Sequence, residues 1–537
     1  MKNNYTIGTR GSDLALWQAR YIQQLLSQYN ISSELKIIVT SGDKNQSWLS
    51  HFDKSEGKNF FTKEIEDALI QKEIDIAVHS FKDVDSSALD ENNPLLIAGY
   101  TERHLPNDIL ILHPESVDKS KQLNIKLNAK IGTSSSRRAA QLKTLRPDIE
   151  ILPLRGNVPT RIEKFKQHQY DGILLARAGV ERLQINLNDF FVYPVPLHFL
   201  VPAAGQGIIA IQIRREDKDL HNIIQQFSNK ESEICSSVER SIMNFIGGGC
   251  SVPIGVLCYQ ENQKYRLYIS YTDNKEKDSI LSILENESPE SLINKGKSNV
   301  IKIQKFLQQT TYKKIFISKK LDASSYLRKI IKRFQWEIID CPLIETQPLS
   351  ITEIPDCDWI FFNSKNAVKY FFENNIDINW LGQKKIAAIS DGTAQYLEKY
   401  GFSAHFIGSE NNIQLTAQNF LNVCKNQKVL FPCSSISKKS IEKIIESQCN
   451  VIHFPIYKTI EKPVKIDDCN AYIFTSPSNV RAFFQVNTIS SSSKIIAIGE
   501  STKKELEHFL NSTHHIHTPI AFDEMAITGL LVNVIEE

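Results

Sequence analysis

Cysteines at metal-binding spacing are missing from this 537-residue chain. Its nine cysteines are odd in number and scattered, without a Cys-x-x-Cys pair or a Cys/His cluster. That pattern argues against a metal site and for the reduced thiols of a cytoplasmic protein. No apolar run approaches the length of a membrane span. The start, Met1-Lys2-Asn3-Asn4-Tyr5, has no apolar core of the signal-peptide kind. Charge of one sign is scarce too: the net formal charge is +2, so neither nucleic acid nor a membrane surface is expected as a partner. Any anion site must be built locally. A Gly-x4-Gly-Lys-Ser/Thr phosphate loop is absent, which argues against a P-loop NTPase.

What is present is a repeated strand, small-residue turn and helix. Tyr5-Thr6-Ile7-Gly8-Thr9-Arg10 reads as a strand ending in a turn, and Leu14, Trp17, Tyr21 and Leu25 follow at helical spacing. Arg10, Gly11 and Ser12 therefore fall at a helix start, where backbone donors favour anions. Leu35 to Val39 predicts the next strand, and a helix running through Ile70 follows. Asp75 to Ser80 predicts a buried strand that ends in Phe81-Lys82-Asp83. The same order recurs at Ile131 to Arg138 and is followed by Leu154-Arg155-Gly156-Asn157 with Arg161. Tyr170 to Gly179 then runs on to Arg182, and Pro202 to Gly207, with Gln206, leads into a strand. Alternating strands and helices predict α/β domains with functional residues at the carboxyl ends of strands. Arg10, Arg137, Arg138, Arg155, Arg161 and Arg182 beside such turns suit a ligand with several carboxylates or phosphates, because guanidinium binds these bidentately.

Gly247-Gly248-Gly249-Cys250-Ser251-Val252-Pro253 is the second feature. Three glycines free the backbone and present one thiol. Two readings fit Cys250: a buried inert thiol, or a covalent attachment point whose thiolate is favoured by exposed N–H groups. A length of this kind holds roughly three to five domains, with a boundary near 308–312. From Lys313 onward, segments repeat about 113 residues apart. Lys314 to Ile317 matches Lys428 to Phe431. Phe362-Asn363-Ser364 matches Phe474-Thr475-Ser476, and the segment leading to Thr393 matches the one leading to Thr502. The Ser/Thr turns fit either helix capping or ligand binding.

These residues carry two resemblances. Residues 5–258 resemble hydroxymethylbilane synthase, also called porphobilinogen deaminase, through Thr9-Arg10-Gly11-Ser12, Asp75 to Val84, Gly132 to Arg138, Leu154 to Asn157, Ala203 to Gly207 and the cysteine loop. The resemblance implies two α/β domains like solute-binding proteins (1–98 with 200–220, and 99–199) and a small α+β domain, 221–309. It implies a dipyrromethane cofactor joined to Cys250 by a thioether, with Asp83 as the catalytic carboxylate. Lys82, Asp83, Arg137, Arg138 and Ser12 would hold the cofactor, and Arg10, Arg155, Arg161, Arg182 and Gln206 the substrate. Asp85 departs from the family, which usually has proline there.

Residues 313–537 resemble uroporphyrinogen-III synthase through the repeat and Pro455 to Thr459, Phe474 to Val480 and Ala497 to Gly499. This implies two similar α/β domains (313–344 with 458–537, and 345–457) that bind in the cleft between them. The two connecting strands are expected near Cys341 to Pro348 and His453 to Glu461. Ser476 and Thr502 are the candidate substrate contacts. Tyr457 is either a proton-donating or positioning residue or a core tyrosine. The combined expectation is a cytoplasmic, monomeric, bifunctional enzyme that polymerises porphobilinogen to hydroxymethylbilane and closes it to uroporphyrinogen III. The alternatives are a deaminase with an inactive scaffold behind it, or an anion-sensing binding protein.

Overall fold

Tyr5 and Ile7 point into one core from a strand, Asn4–Thr9, that pairs in parallel with Ser32–Ile37 and Ile76–Ser80. In the computed structural model this seeds a five-stranded sheet. Its spatial order is Ser32–Ile37, Asn4–Thr9, Ile76–Ser80, Ile209–Arg214, Leu95–Tyr100. The structure describes residues 4–40, 62–85, 92–247, 253–273, 278–308, 311–351, 353–374, 378–408, 413–437 and 439–535. The second strand starts and ends earlier than the sequence predicts, because its one-to-one pairing with Asn4–Thr9 ends at Thr9 and Ile37. Ile209–Arg214 returns from far along the chain and runs antiparallel to both neighbours.

The second sheet has the order Glu150–Leu152, Lys130–Gly132, Gly172–Ala176, Asp108–Leu112, Phe191–Pro194. Asp108–Leu112 is antiparallel to both of its neighbours. A three-stranded antiparallel meander follows, Gly255–Glu261, Lys264–Tyr271 and Ile280–Asn286. Helices Lys230–Ile246 and Pro289–Leu307 pack with it.

The chain divides into two compact units. The first holds residues 1–312 and takes in two later segments, Ala323–Trp336 and Phe522–Glu537. The second holds Lys313–Asp322 and Glu337–Ala521. Both later segments fall within the stretch that the sequence assigns to the second module. Their chemistry explains the docking. Helix Glu524–Ile535 reads EMAITGLLVNVI, apolar on nearly every side, and a helix of that kind needs cover all round. It packs on Ile280–Asn286 and on helices Pro289–Leu307 and Tyr326–Arg333. Tyr326 donates its hydroxyl proton to the Ser279 carbonyl at 2.5 Å, and Ser325 donates to Glu524 at 2.6 Å. At Gly529 the helix touches the strand backbone, where a Cβ would run into the Leu281 carbonyl oxygen. Gly529→Val is therefore expected to destabilise the first unit by roughly 1–3 kcal/mol through overpacking. A urea midpoint equal to the parent's would show that the helix does not seat there.

In the second unit, a parallel sheet runs Glu337–Asp340, Lys314–Ile317, Ala471–Phe474, Lys494–Ala497, Ile516–His517. A six-stranded sheet runs Ile344–Pro348, Asn450–Glu461, Lys428–Ser434, Trp359–Phe362, Lys385–Ala388, Phe406–Ile407. Ile344–Pro348 pairs antiparallel with Tyr457–Glu461, in the two segments that the sequence marks as connections. The repeat is visible in backbone detail. Ser364 and Ser476 follow equivalent strands at φ/ψ of −167/159 and −164/157, and each accepts from an N–H three residues on. Among the described residues no helix is long and apolar enough to cross a membrane.

Candidate active site

Strand Ile76–Ser80 ends in a single 3-10 turn, Phe81–Asp83. The turn is clamped from two sides. Phe81 is buried, and Gly205, at φ +77, leaves no room for a Cβ against the Phe81 ring. From helix Lys230–Ile246, Arg240 lays its guanidinium 4.6 Å over that ring and donates to the Phe81 carbonyl at 2.5 Å. The neighbouring Glu239, fully buried, accepts from Arg103 at 2.7 Å and from the Gly205 and Cys258 N–H groups. Helix, turn and glycine loop are thereby fixed to one another. The Asp83 carboxylate is exposed and makes no hydrogen bond or ion pair among the described residues.

Asp83 opens into a cavity of about 320 Å³. Its walls carry five cations, Lys82, Arg137, Arg138, Arg161 and Arg240, against the carboxylates of Asp83 and Asp85. Gln206 is also on the wall. Burial pushes the Lys82 ammonium below its usual range, although Asp83 beside it pulls the other way. Burial, and then Arg138, does the same to Arg161, whose Nε donates to the Gly156 carbonyl at 2.7 Å. A second cavity, about 100 Å³, is lined by Arg10, Ser12, Gln18, His79, Ser80 and Asp83. A third, about 80 Å³, brings in Arg182, with Arg138, Arg161, Lys82 and Gln206 again on its wall. Arg182 donates to the Gly207 carbonyl at 2.7 Å, lies 5.5 Å over the Trp17 ring and is pushed down to about 10 by burial.

The structure thus brings Ser12, Arg10, Lys82, Asp83, Arg137, Arg138, Arg161, Arg182 and Gln206 to three cavities around one turn. Arg155 is exposed and lines none of the three. Cys250 lies outside the described residues. Met243, Asn244 and Ile254, on either side of its loop, all line the 320 Å³ cavity that Asp83 opens into. The helix before the loop ends at Gly247 in the left-handed region, at φ 73.

The sequence reading missed Asp108. It is fully buried and accepts from Arg138 at 2.7 Å and from Gln206 at 2.9 Å, and Arg137 Nη1 lies 2.9 Å from its other oxygen. Burial alone would raise its carboxyl, but the two guanidiniums more than offset this and hold it well below the usual range. One carboxylate therefore keeps two cations aligned at the cavity wall.

In the second unit, Tyr457 is buried, stacks on Tyr370 at 5.2 Å and lies 3.4 Å from the Ser364 hydroxyl. Ser476 caps helix Pro477–Phe484, and its hydroxyl also accepts from Asn479 Nδ2 at 2.9 Å. Thr502 is buried in the first turn of helix Glu500–Glu507. In the first unit, the His113, Glu115 and His168 ligand atoms lie within 4.8 Å of one another. The two imidazoles stack 4.0 Å apart and 13° from parallel, so no single ion sits in both ring planes.

Three family models match the chain. "Porphobilinogen deaminase, dipyromethane cofactor binding domain" matches residues 5–222, and "Porphobilinogen deaminase, C-terminal domain" matches 233–303. "Uroporphyrinogen-III synthase HemD" matches 325–517. A porphobilinogen deaminase from Syntrophomonas wolfei is 42% identical over 282 residues, 51% of this chain and 88% of the relative. One from Helicobacter hepaticus is 44% identical over 262 residues, 49% of this chain and 78% of that one. A uroporphyrinogen-III synthetase structure from Helicobacter pylori aligns with 42% of this chain and 100% of its own, at 17% identity and a TM-score of 0.33. The chain belongs to the porphobilinogen deaminase family and carries behind it a uroporphyrinogen-III synthase segment of the HemD family.

Proposed function

We infer a bifunctional enzyme of haem biosynthesis, in which the first unit converts porphobilinogen to hydroxymethylbilane and the second closes that product to uroporphyrinogen III. The observation that carries the deaminase reading is an Asp83 carboxylate with no hydrogen bond or ion pair among the described residues, in a cavity on whose wall five of those residues are cations. Porphobilinogen brings two carboxylates on a pyrrole ring, and a dipyrromethane brings four. The wall suits both: its cations bind the acid side chains, leaving the Asp83 carboxylate for the ring. The dipyrromethane, when bound, supplies the pyrrole carbon onto which new units are added. The flanks of the Cys250 loop line the same cavity, which supports a thioether at Cys250.

Asp83 then does the electrostatic work. As the substrate C–N bond breaks, the electron pair leaves with nitrogen as ammonia, and positive charge spreads from the methylene onto the pyrrole ring. A carboxylate beside the ring N–H stabilises that charge and can hold the proton while the ring is electron-poor. Arg137 and Arg138, held by Asp108, fix the carboxylate side chains so that little reorganisation is needed. In the second unit the task is to hold the last ring inverted while the bond forms, which calls for positioning more than for strong acids or bases. Tyr457, Ser476 and Thr502 remain its candidate groups, with Ser476 and Thr502 acting through the helix starts they occupy.

Mass measurement tests the attachment. Intact protein should be heavier than its sequence by two linked pyrrole units, and Cys250→Ser should show the bare mass. An adduct on Cys235 or Cys258, or active protein without any adduct, would overturn it.

A further inference from the structure

His79 sits two residues before the first residue of the turn and lines the second cavity together with Asp83. It is buried in the sheet, and its Nε2 lies 3.0 Å from Gln212 Oε1. The Gln212 amide is itself oriented by Glu66, to whose Oε1 the Gln212 Nε2 donates at 3.2 Å. The oxygen of the amide therefore faces the imidazole, and Nε2 carries the ring proton. The other nitrogen, Nδ1, carries a lone pair and has no hydrogen bond among the described residues. Burial lowers this histidine to about 4, against the opposing pull of Gln212 and Asp83, so the ring is neutral near pH 7.

The two cavities that share Asp83 differ in charge. The larger has five cations on its wall, a poor environment for a substrate ammonium. Among the described residues the smaller has one, Arg10, and offers acceptors beside the carboxylate. Gln18 and Ser80, also on that wall, are tied to each other at 2.9 Å. Among the described residues two buried acceptors on that wall are left over, the Thr62 hydroxyl and Nδ1, and Nδ1 is the one that can only accept.

We propose that His79 binds the aminomethyl end of the incoming porphobilinogen, its Nδ1 accepting a hydrogen bond from the substrate ammonium while Asp83 balances the charge. This rests on the deaminase reading above. A neutral imidazole suits the task because an imidazolium would have no lone pair to offer and would repel the ammonium.

Two variants and one spectrum test it on the full-length, cofactor-loaded protein. His79→Gln keeps a partner for Gln212 but has no acceptor at the Nδ1 position. Losing a hydrogen bond to a charged group should raise KM for porphobilinogen roughly 10- to 100-fold, with kcat changed far less. His79→Asn places a carboxamide where Nδ1 was and should recover most of that KM loss. In histidine-labelled wild type, nitrogen NMR should show His79 as the neutral Nε2–H form at pH 7. An unchanged KM in His79→Gln, no recovery in His79→Asn, or a wild-type ring protonated at Nδ1 would each overturn the proposal. Ehrlich colour of the bound pyrroles in each variant reports on the deaminase reading separately from KM.

Discussion

Replacing Asp83 with Asn is expected to slow porphobilinogen turnover by about 10²–10³-fold, the usual cost of removing one preorganised electrostatic stabiliser. Asn has nearly the same volume, so the 3-10 turn, the Arg240 clamp and the cavity wall should persist. What disappears is the charge. The remaining wall is then five cations and Asp85, a field that favours binding carboxylates but opposes a developing pyrrole cation. The loss should therefore fall on kcat more than on KM, and intermediates with part-grown chains should accumulate on a native gel. A variant that turns over within about threefold of wild type would show that the carboxylate is not the group that offsets the cation.

Asp85 follows Val84 just past the 3-10 turn. It faces the same cavity and contributes to raising the partly buried Glu66, after burial itself. A second carboxylate so near Asp83 is compatible with the cationic wall, which still outnumbers the two of them.

Much of this site is legible in the sequence because its residues sit at strand ends that open helices. Arg137 and Arg138 follow Lys130–Gly132 at the start of helix Ser136–Leu145, and Lys82 and Asp83 follow Ile76–Ser80. Such positions converge by topology alone. Residues that reach the site from within an element are not legible that way. Asp108 begins a strand, and nothing local distinguishes it from an ordinary first residue. Glu239 and Arg240 lie in the middle of helix Lys230–Ile246, where charged residues read as a solvated face. The signal available was a glutamate at position 239 in register with buried Cys235, Val238 and Ile242 on one side of that helix. Arg155 is the converse case: a turn at Gly156 suggests a site beside it, yet Arg155 lines none of the three cavities.

The two units show a similar limit. The duplicated Phe-x-Ser turns predict the two matching caps at Ser364 and Ser476, because a local rule fixes both. The docking of Glu524–Ile535 on the meander of the first unit depends on a partner more than two hundred residues earlier, and chain order points elsewhere. Its even spread of apolar residues was the available cue. The HemD match spans 325–517, so this last helix falls outside every family match while still completing the packing of the deaminase unit.

Asp108→Asn is expected to cost about 3–5 kcal/mol of stability at pH 7, because it removes the only charge that compensates two buried guanidiniums among the described residues. Arg137 and Arg138 are each 5% exposed, so water cannot take over the role of the carboxylate. Their other hydrogen bonds, to the Val201 and Leu174 carbonyls, are neutral and do not supply it. The pH dependence follows from the sign of the shift. The folded carboxyl lies well below its unfolded value of about 3.9, so its stabilisation is fully present above pH ~5 and fades as pH falls through the folded value. The stability gap between wild type and Asp108→Asn should therefore be flat from pH ~5 to 8 and narrow below pH ~4. Polycarboxylate binding should weaken along with stability, since the same two guanidiniums would no longer be held at the wall. A gap under about 1 kcal/mol at pH 7 would show that the pair does not need its counter-ion, because a broken buried pair costs several times that. A gap that stays constant into acid would show that ionisation of Asp108 is not its source.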